Sequence, residues 1–425
     1  MGYLIRRGRL VDPVSGIGGV MDILLENGKV AVIGSNLSAP GAQVLDASGL
    51  TVCAGLVDLH THLMEPGFEY RETVATGSRA AAAGGFTSVA CMPDTQPPID
   101  IPGGVGYIRE LSRKAGGARV YPVAALSKGR NGQEPCDYEE LKDAGAVALS
   151  DATPIRNANL LRDAMILAHR QGLTVLSCCE DPDLAQNFAI NEGRVSRQLR
   201  IPGRPAIAEE LQVMREAMLA EETGAAVHIC RLSTAKSVAI VRRYKKKGAP
   251  ITCETCPQYF TFTEDEILQQ GPPARLEPPL RTPTDVEGII EGLKDGTIDA
   301  IATDHTPYAE AETARPLVQA PAGMVGLETA LAASLTALYH TREMSLSDIL
   351  RKLTINPANI LRLPSAGRLA IGLDADLVIF DPEEEWSVEP QNFCSLGRNT
   401  PFSGKRLKGK VKYTLVGGEI VYQAG

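Results

Sequence analysis

Short apolar runs alternate with helical patterns through the middle of the chain. The runs cover residues 55–59, 88–92, 120–124, 146–150, 174–178, 226–230, 251–254 and 300–303, and each reads as a strand. Helical stretches separate them, among them residues 73–83, 160–170, 206–222 and 237–247. Eight strands alternating with helices predict a (β/α)8 TIM-like barrel over residues 51–366. The two ends have a different texture. Residues 3–10, 22–26, 30–33 and 43–46 are short β-like runs punctuated by Pro13 and the glycines of 16–19. Residues 376–380, 411–416 and 419–422 repeat that texture, so 1–50 and 367–425 are expected to form one small β-sandwich domain built from both termini.

Composition leaves this picture intact and removes some functions. Of 425 residues, 44% are apolar and 22% charged, as in ordinary globular proteins. The net charge of -8 argues against nucleic acid or an anionic membrane as partner, and the basic run 242–247 reads as the solvated end of a helix. No stretch reaches the ~18 apolar residues of a spanning helix, and residues 1–10 lack the apolar core of a secretory signal. Nine scattered cysteines suit buried thiols in a reducing cytoplasm, including the C-x-x-C pair Cys253 and Cys256.

In a barrel the chemistry sits at the C-terminal strand ends. His60-Thr61-His62 closes the first run, Asp94 follows the second, Asp151 the fourth and Arg231 the sixth. Cys178 closes the fifth, and Asp304-His305 follows the eighth. Residues i and i+2 of a strand share a face, so two imidazoles can grip one metal ion if further ligands converge. Asp58 is a candidate acceptor to orient one ring. His228, three residues before Arg231, faces the other way and reads as structural. His169 and His340 read as surface or packing residues on helices, and the glycines at 84–85 and 323–326 as turn or close-approach positions.

These residues lie in segments that resemble the amidohydrolase superfamily, and within it the bacterial barrel-type dihydroorotases. The resemblance is carried by GSRAAAAGGFTSVACMPDTQPPID, CCEDPDL, HICRLSTAKS, TCETCPQYFTFTEDE, PPLR and DGTIDAIATDHTPYAEAETARP, and continues through INPANIL, GLDADLVIFDP and GRNTPFSG. It implies two zinc ions at the barrel mouth, one held by His60, His62 and Asp304, with Asp151 bridging to the second. A bridging hydroxide would attack a ring amide carbon, and Asp304 would carry the proton to the leaving nitrogen.

The chain departs from that pattern in ways that narrow the expectation. The family carries two adjacent acids where this chain reads Asp151-Ala152, and histidines where it has Cys178 and Arg231. A thiolate at Cys178 still binds zinc. A guanidinium has no lone pair to offer, and its charge disfavours a second dication. One zinc ion is therefore expected, with Arg231 reaching Asp151 as a salt bridge. On the substrate side, the family's carboxylate-binding arginine, asparagine and histidine are replaced by Met64, Asp94 and Tyr308. An asparagine before PPLR becomes Glu277, and a histidine after Pro257 becomes Gln258. These changes suit a neutral or cationic ring better than dihydroorotate. Residues 308–320 resemble a mobile loop over the site. Three readings remain: a one-metal cyclic amidohydrolase, a dihydroorotase proper of pyrimidine synthesis, and a non-catalytic structural partner of, for example, aspartate transcarbamoylase. A homodimer is the family expectation.

Overall fold

The computed structural model describes residues 2–16 and 18–425. Its N-terminal strands are β1 (Tyr3–Val11), β2 (Gly18–Glu26), β3 (Lys29–Gly34), β4 (Gln43–Asp46) and β5 (Thr51–Ala54). The barrel strands are β6 (Leu56–Thr61), β7 (Phe86–Cys91), β8 (Arg119–Ala124), β9 (Ala148–Leu149) and β10 (Thr174–Cys178). After a two-strand insertion, β11 (Ile190–Asn191) and β12 (Gly203–Arg204), come β13 (Val227–Cys230), β14 (Ile251–Thr255) and β15 (Ala300–Ile301). The chain ends in β16 (Leu377–Ser387), β17 (Arg406–Val416) and β18 (Glu419–Gln423).

All eight expected barrel strands form, in the order β6-β7-β8-β9-β10-β13-β14-β15, each parallel to the next. β15 and β6 share no ladder. The seam between them is joined by a single parallel bridge, Thr61 to His305, and by the His62 N–H donating to the His305 carbonyl at 2.8 Å. Apolar side chains from every barrel strand except β14 meet in one cluster, including Leu59, Ala90, Val123, Ala148, Leu176 and Ala300. The helices cap as their sequences dictate. Thr73 opens Val74–Ala83 with a reciprocal capping box, and Thr282 with Pro283 opens Pro283–Lys294. The basic run closes Ala235–Lys246, where cations meet the negative end of the helix dipole.

The termini join as expected, but hydrogen bonding runs through one eight-stranded mixed sheet in which β5 links β1 to β16. Ile5, Leu10, Ile23, Val52, Leu377 and Ile379 form its core. Eight of the nine cysteines are buried and all are free, Cys253 and Cys256 among them. Among the described residues no helix is long and apolar enough to cross a membrane.

Near this sheet, Glu328 accepts the backbone N–H groups of Cys394 at 3.0 Å and Ser395 at 3.1 Å. Burial raises its pKa to about 7, although both amides favour the charged form. The folded value lies above the ordinary one, so its contribution to stability is complete at low pH and is lost as pH rises through about 7. Glu328→Gln is expected to remove a slope on the order of 3 kcal/mol across that window. Urea midpoints measured from acid to neutral pH check this, and an unchanged slope in the variant contradicts it.

Candidate metal centre and its pocket

β6 delivers His60 and then His62 to the barrel mouth, with ring centroids 5.2 Å apart. Each Nδ1 meets a carboxylate: His60 meets Glu254 Oε1 at 3.0 Å, and His62 meets Asp94 Oδ2 at 2.8 Å. A carboxylate can only accept, so each Nδ1 carries a proton, and in the neutral ring Nε2 presents the lone pair. Both Nε2 atoms face one oxygen, Asp304 Oδ1, at 3.7 and 3.8 Å. His60, His62 and Asp304 thus group their donor atoms as expected. His60 Nε2 is buried and has no hydrogen-bond partner among the described residues. That orphaned lone pair, the spacing and the carboxylate-backed rings fit one metal ion.

The support behind the rings differs from expectation. Asp58 orients neither. Its carboxylate accepts from the His60 N–H at 3.2 Å and from the backbone and hydroxyl of Thr303, clipping β6 to the chain after β15. Glu254 does the orienting, and its second oxygen accepts from His228 Nε2 at 3.1 Å. Burial alone would raise the Glu254 carboxyl, but hydrogen bonds from His228 and His60 reverse this and hold it at about 2. His228 is structural, as expected, though it acts on His60 through Glu254. Burial likewise opposes charge on His62, yet Asp94 and Asp304 raise its pKa to about 10, so in the absence of an ion its Nε2 also carries a proton near neutral pH, which a bound ion would displace. Asp94 is therefore occupied by a ring, which qualifies its expected role as a free substrate contact.

Asp151 and Arg231, expected beside a second ion, are engaged elsewhere. Asp151 does not join the cluster. Its carboxylate accepts from the Leu126 N–H at 2.8 Å, the Ser127 N–H at 2.9 Å and the Ser127 hydroxyl, three bonds that hold it to the chain after β8. The adjacent Ala152 lines the cavity and has no ligand atom. The expected Arg231–Asp151 salt bridge is likewise absent. Arg231 Nη1 instead meets Asp304 Oδ1 at 3.3 Å, the oxygen both histidines face. Burial favours a neutral Asp304, but Arg231 and His62 keep its pKa below the ordinary value. Cys178 lies outside the donor cluster, paired in register with Cys230 on the neighbouring strand. A hydrogen bond from Cys230, and then the Arg231 charge, overcome burial and favour the Cys178 thiolate.

Met64, Ala152, Arg231 and Asp304, each just past a barrel strand, have left-handed backbones with φ of 61, 54, 57 and 51°. Such conformations cost non-glycine residues about 1–3 kcal/mol each and cluster at working sites.

A cavity of about 160 Å³ opens over the cluster, lined in part by Asp94, Glu180, Arg231, Glu277 and Tyr308. It is smaller than the ~300–1,000 Å³ pockets of drug-sized ligands and suits a single small ring. Met64 is not part of its lining. The left-handed turn at Met64 leaves its side chain buried in the core. Tyr308 stacks on Arg71, with 4.9 Å from guanidinium to ring centroid, and Arg71 makes a two-pronged ion pair with Glu312. The first part of the 308–320 loop is thereby tied over the cavity.

At one corner of the cavity sequence reasoning named Glu277 but missed the two residues it is wired to. Arg204 Nη1 donates to both Glu180 Oε2 at 2.7 Å and Glu277 Oε1 at 3.0 Å. Glu180 is 5% exposed, and its Oε1 has no partner among the described residues. Burial raises its pKa to about 7, against the pull of Arg204 and with the push of Glu277. Gln258 is fully buried, and neither atom of its amide has a partner among the described residues. Gln258→Met, of similar shape and without the amide, is expected to stabilise the fold by about 1–3 kcal/mol. Equilibrium urea unfolding decides it, and a loss of stability would refute the assignment.

The amidohydrolase family profile matches residues 51–421. The chain is 45% identical to a dihydroorotase of Syntrophus aciditrophicus over 426 residues, covering 100% of both. It is 46% identical to a dihydroorotase of Pelotomaculum thermopropionicum over 424 residues, covering 100% of this chain and 99% of the relative. Among solved structures, an L-hydantoinase (dihydropyrimidinase) from Arthrobacter aurescens superposes with a TM-score of 0.88 at 26% identity, covering 100% of this chain and 96% of that one. On the barrel, the histidine pair with its aspartate and these full-length matches, the chain belongs to the amidohydrolase family, on its dihydroorotase branch.

Proposed function

We propose that the protein hydrolyses a ring amide or ureide with the help of one zinc ion held by His60, His62 and Asp304. The observation that carries this reading is the pair of Nε2 lone pairs, each backed by a carboxylate, aimed at one aspartate oxygen. An ion held there supplies the positive charge that acidifies water and polarises a carbonyl near neutral pH. Asp304, kept ionised by Arg231 and His62, takes the proton of the attacking water and returns it to the ring nitrogen as the C–N bond breaks. Arg231 supplies a fixed positive charge beside Asp304. Tyr308, held by Arg71, closes the cavity against bulk water.

The Arg231–Asp304 ion pair also favours a second reading. A guanidinium 3.3 Å from Asp304 Oδ1 satisfies that aspartate without any ion, as a catalytically silent member kept as a structural partner would need. Aspartate transcarbamoylase is the partner such a member would bind. The dihydroorotase relatives favour dihydroorotate as the ring, and Arg231 is the group in the cavity able to meet its carboxylate.

Zinc content and turnover separate these readings. The protein dialysed against zinc is expected to retain one equivalent and to open at least one member of a panel of dihydropyrimidines, hydantoins and dihydroorotate. Substoichiometric zinc with no turnover overturns the hydrolase, and co-purification with a transcarbamoylase then supports the silent partner. Turnover of dihydroorotate alone identifies a dihydroorotase proper.

A further inference from the structure

The corner built by Glu180, Arg204 and Glu277 has no part in holding the ion or moving the proton, yet it lines the same cavity. Its wiring is uneven. One guanidinium nitrogen serves two carboxylates, at 2.7 and 3.0 Å, so the corner has more acceptors than donors. Arg204 is itself buried, and its Nε donates to the Phe188 carbonyl at 3.1 Å, which fixes the guanidinium. Glu180 is 95% buried by its 5% exposure, and Arg204 holds its Oε2. Its Oε1 is left without a partner on a residue that lines the cavity. Glu277 beside it is nearly half exposed, so the wall continues outward as a second acceptor. Arg231 Nε, on another residue of the cavity lining, is a buried donor that also has no partner among the described residues.

Buried polar groups in folded proteins are almost always paired, and an unpaired acceptor at a cavity wall selects a ligand that supplies the missing donor. A cyclic amide is held cis by its ring, so it shows a C=O acceptor and an N–H donor on one edge. Such an edge supplies the acceptor that the Arg231 Nε–H lacks and the donor that Glu180 Oε1 lacks, two atoms that lie closed off in the wall and must turn inward to meet it.

We propose that Glu180, positioned by Arg204 and seconded by Glu277, is the specificity subsite for an unsubstituted ring N–H. The substrate class is then a small neutral ring amide or ureide whose nitrogen on this edge is not alkylated. This rests on the hydrolase reading for the identity of the ring, but binding tests it without catalysis.

The affinity of the zinc-loaded protein for 5,6-dihydrouracil and for its 1-methyl and 3-methyl derivatives is measured by calorimetry, or as KM where the ring is turned over. One of the two methyl derivatives is expected to bind about tenfold more weakly, the size of one lost charge-assisted hydrogen bond. Glu180→Gln is the second arm. Arg204 donates at the Oε2 position, so the amide oxygen of glutamine settles there and its NH2 turns to the cavity. The acceptor thus becomes a donor. The variant is expected to lose the preference for the N–H ring by the same factor while keeping its zinc.

Equal affinity for all three rings, no measurable affinity for any, or an unchanged preference in E180Q overturns the proposal. The wild-type comparison needs no substitution and decides the matter if E180Q does not fold. Selective binding without turnover of any ring leaves this subsite standing and sinks the hydrolase. Turnover that ignores N-methylation does the reverse.

Discussion

Asp304→Asn is expected to lower kcat on any ring substrate by about 10²–10⁴-fold, the range attributable to a lost general acid–base group. Asparagine keeps the size of aspartate and can still offer an oxygen, but it cannot take the proton of the attacking water. The same oxygen also faces His60 Nε2 and His62 Nε2, so retained zinc should fall as well. A second effect runs in parallel. Arg231 sits 3.3 Å from Oδ1 and is mostly buried, and neutralising its partner leaves a cation short of its charge. Removing one member of such a pair costs about 3–5 kcal/mol when nothing replaces it. Zinc content, kcat and melting temperature of the same preparation separate the three contributions. A variant that loses stability but has no turnover to lose would identify the silent partner. Full activity in Asp304→Asn would remove this aspartate from the mechanism.

Glu254→Gln is expected to weaken zinc by about 10- to 100-fold, the usual cost of disturbing a group that orients a ligating histidine. Glu254 is fully buried between two imidazoles and accepts from both. Glutamine has one acceptor and one donor at its tip, so at one of the two contacts an N–H would face an N–H. If that contact is His60, the ring answers by moving its proton to Nε2, which removes the lone pair the ion needs. If it is His228, that ring must instead give up its own proton at Nε2. Glu254→Ala is harsher, leaving two buried rings without their acceptor. It is expected to cost about 3–5 kcal/mol of stability. Competition with a zinc chelator gives the affinity, and unfolding curves give the stability. An unchanged zinc affinity in Glu254→Gln would mean that the His60 tautomer is set elsewhere.

The barrel was legible because parallel strands covered on both faces read as continuous apolar runs, and several of the runs here lead into a polar residue. His60, His62 and Asp304 stood out for that reason, and they do converge. Position past a strand end does not say which way a side chain turns, and there the reading failed. Asp151 follows β9 as Asp304 follows β15, yet Ser127 and Leu126 claim its carboxylate. Met64 has the sequence spacing of a pocket residue, but a left-handed turn sends it to the core. Glu254 was hidden by its neighbours, since an acid between two cysteines in a strand reads as part of a thiol motif. A charge inside an otherwise apolar run was the available signal, because burying one demands a partner. Arg204 lies in a two-residue strand of an insertion, where no periodicity or motif marks it.

At the seam between β6 and β15 the proposed ion would have a mechanical role. Of the three residues proposed to hold it, His60 stands on the first strand of the ring, His62 directly after it and Asp304 just past the last, so occupancy would tie together chain segments separated by most of the barrel sequence. Every other strand pair is held by a ladder, whereas this one has a single bridge and the Asp58 clip. Stripping the ion should therefore loosen the cylinder along one line before any helix melts. The amides of 58–62 and 303–305 are expected to be the first in the barrel to exchange faster with solvent deuterium.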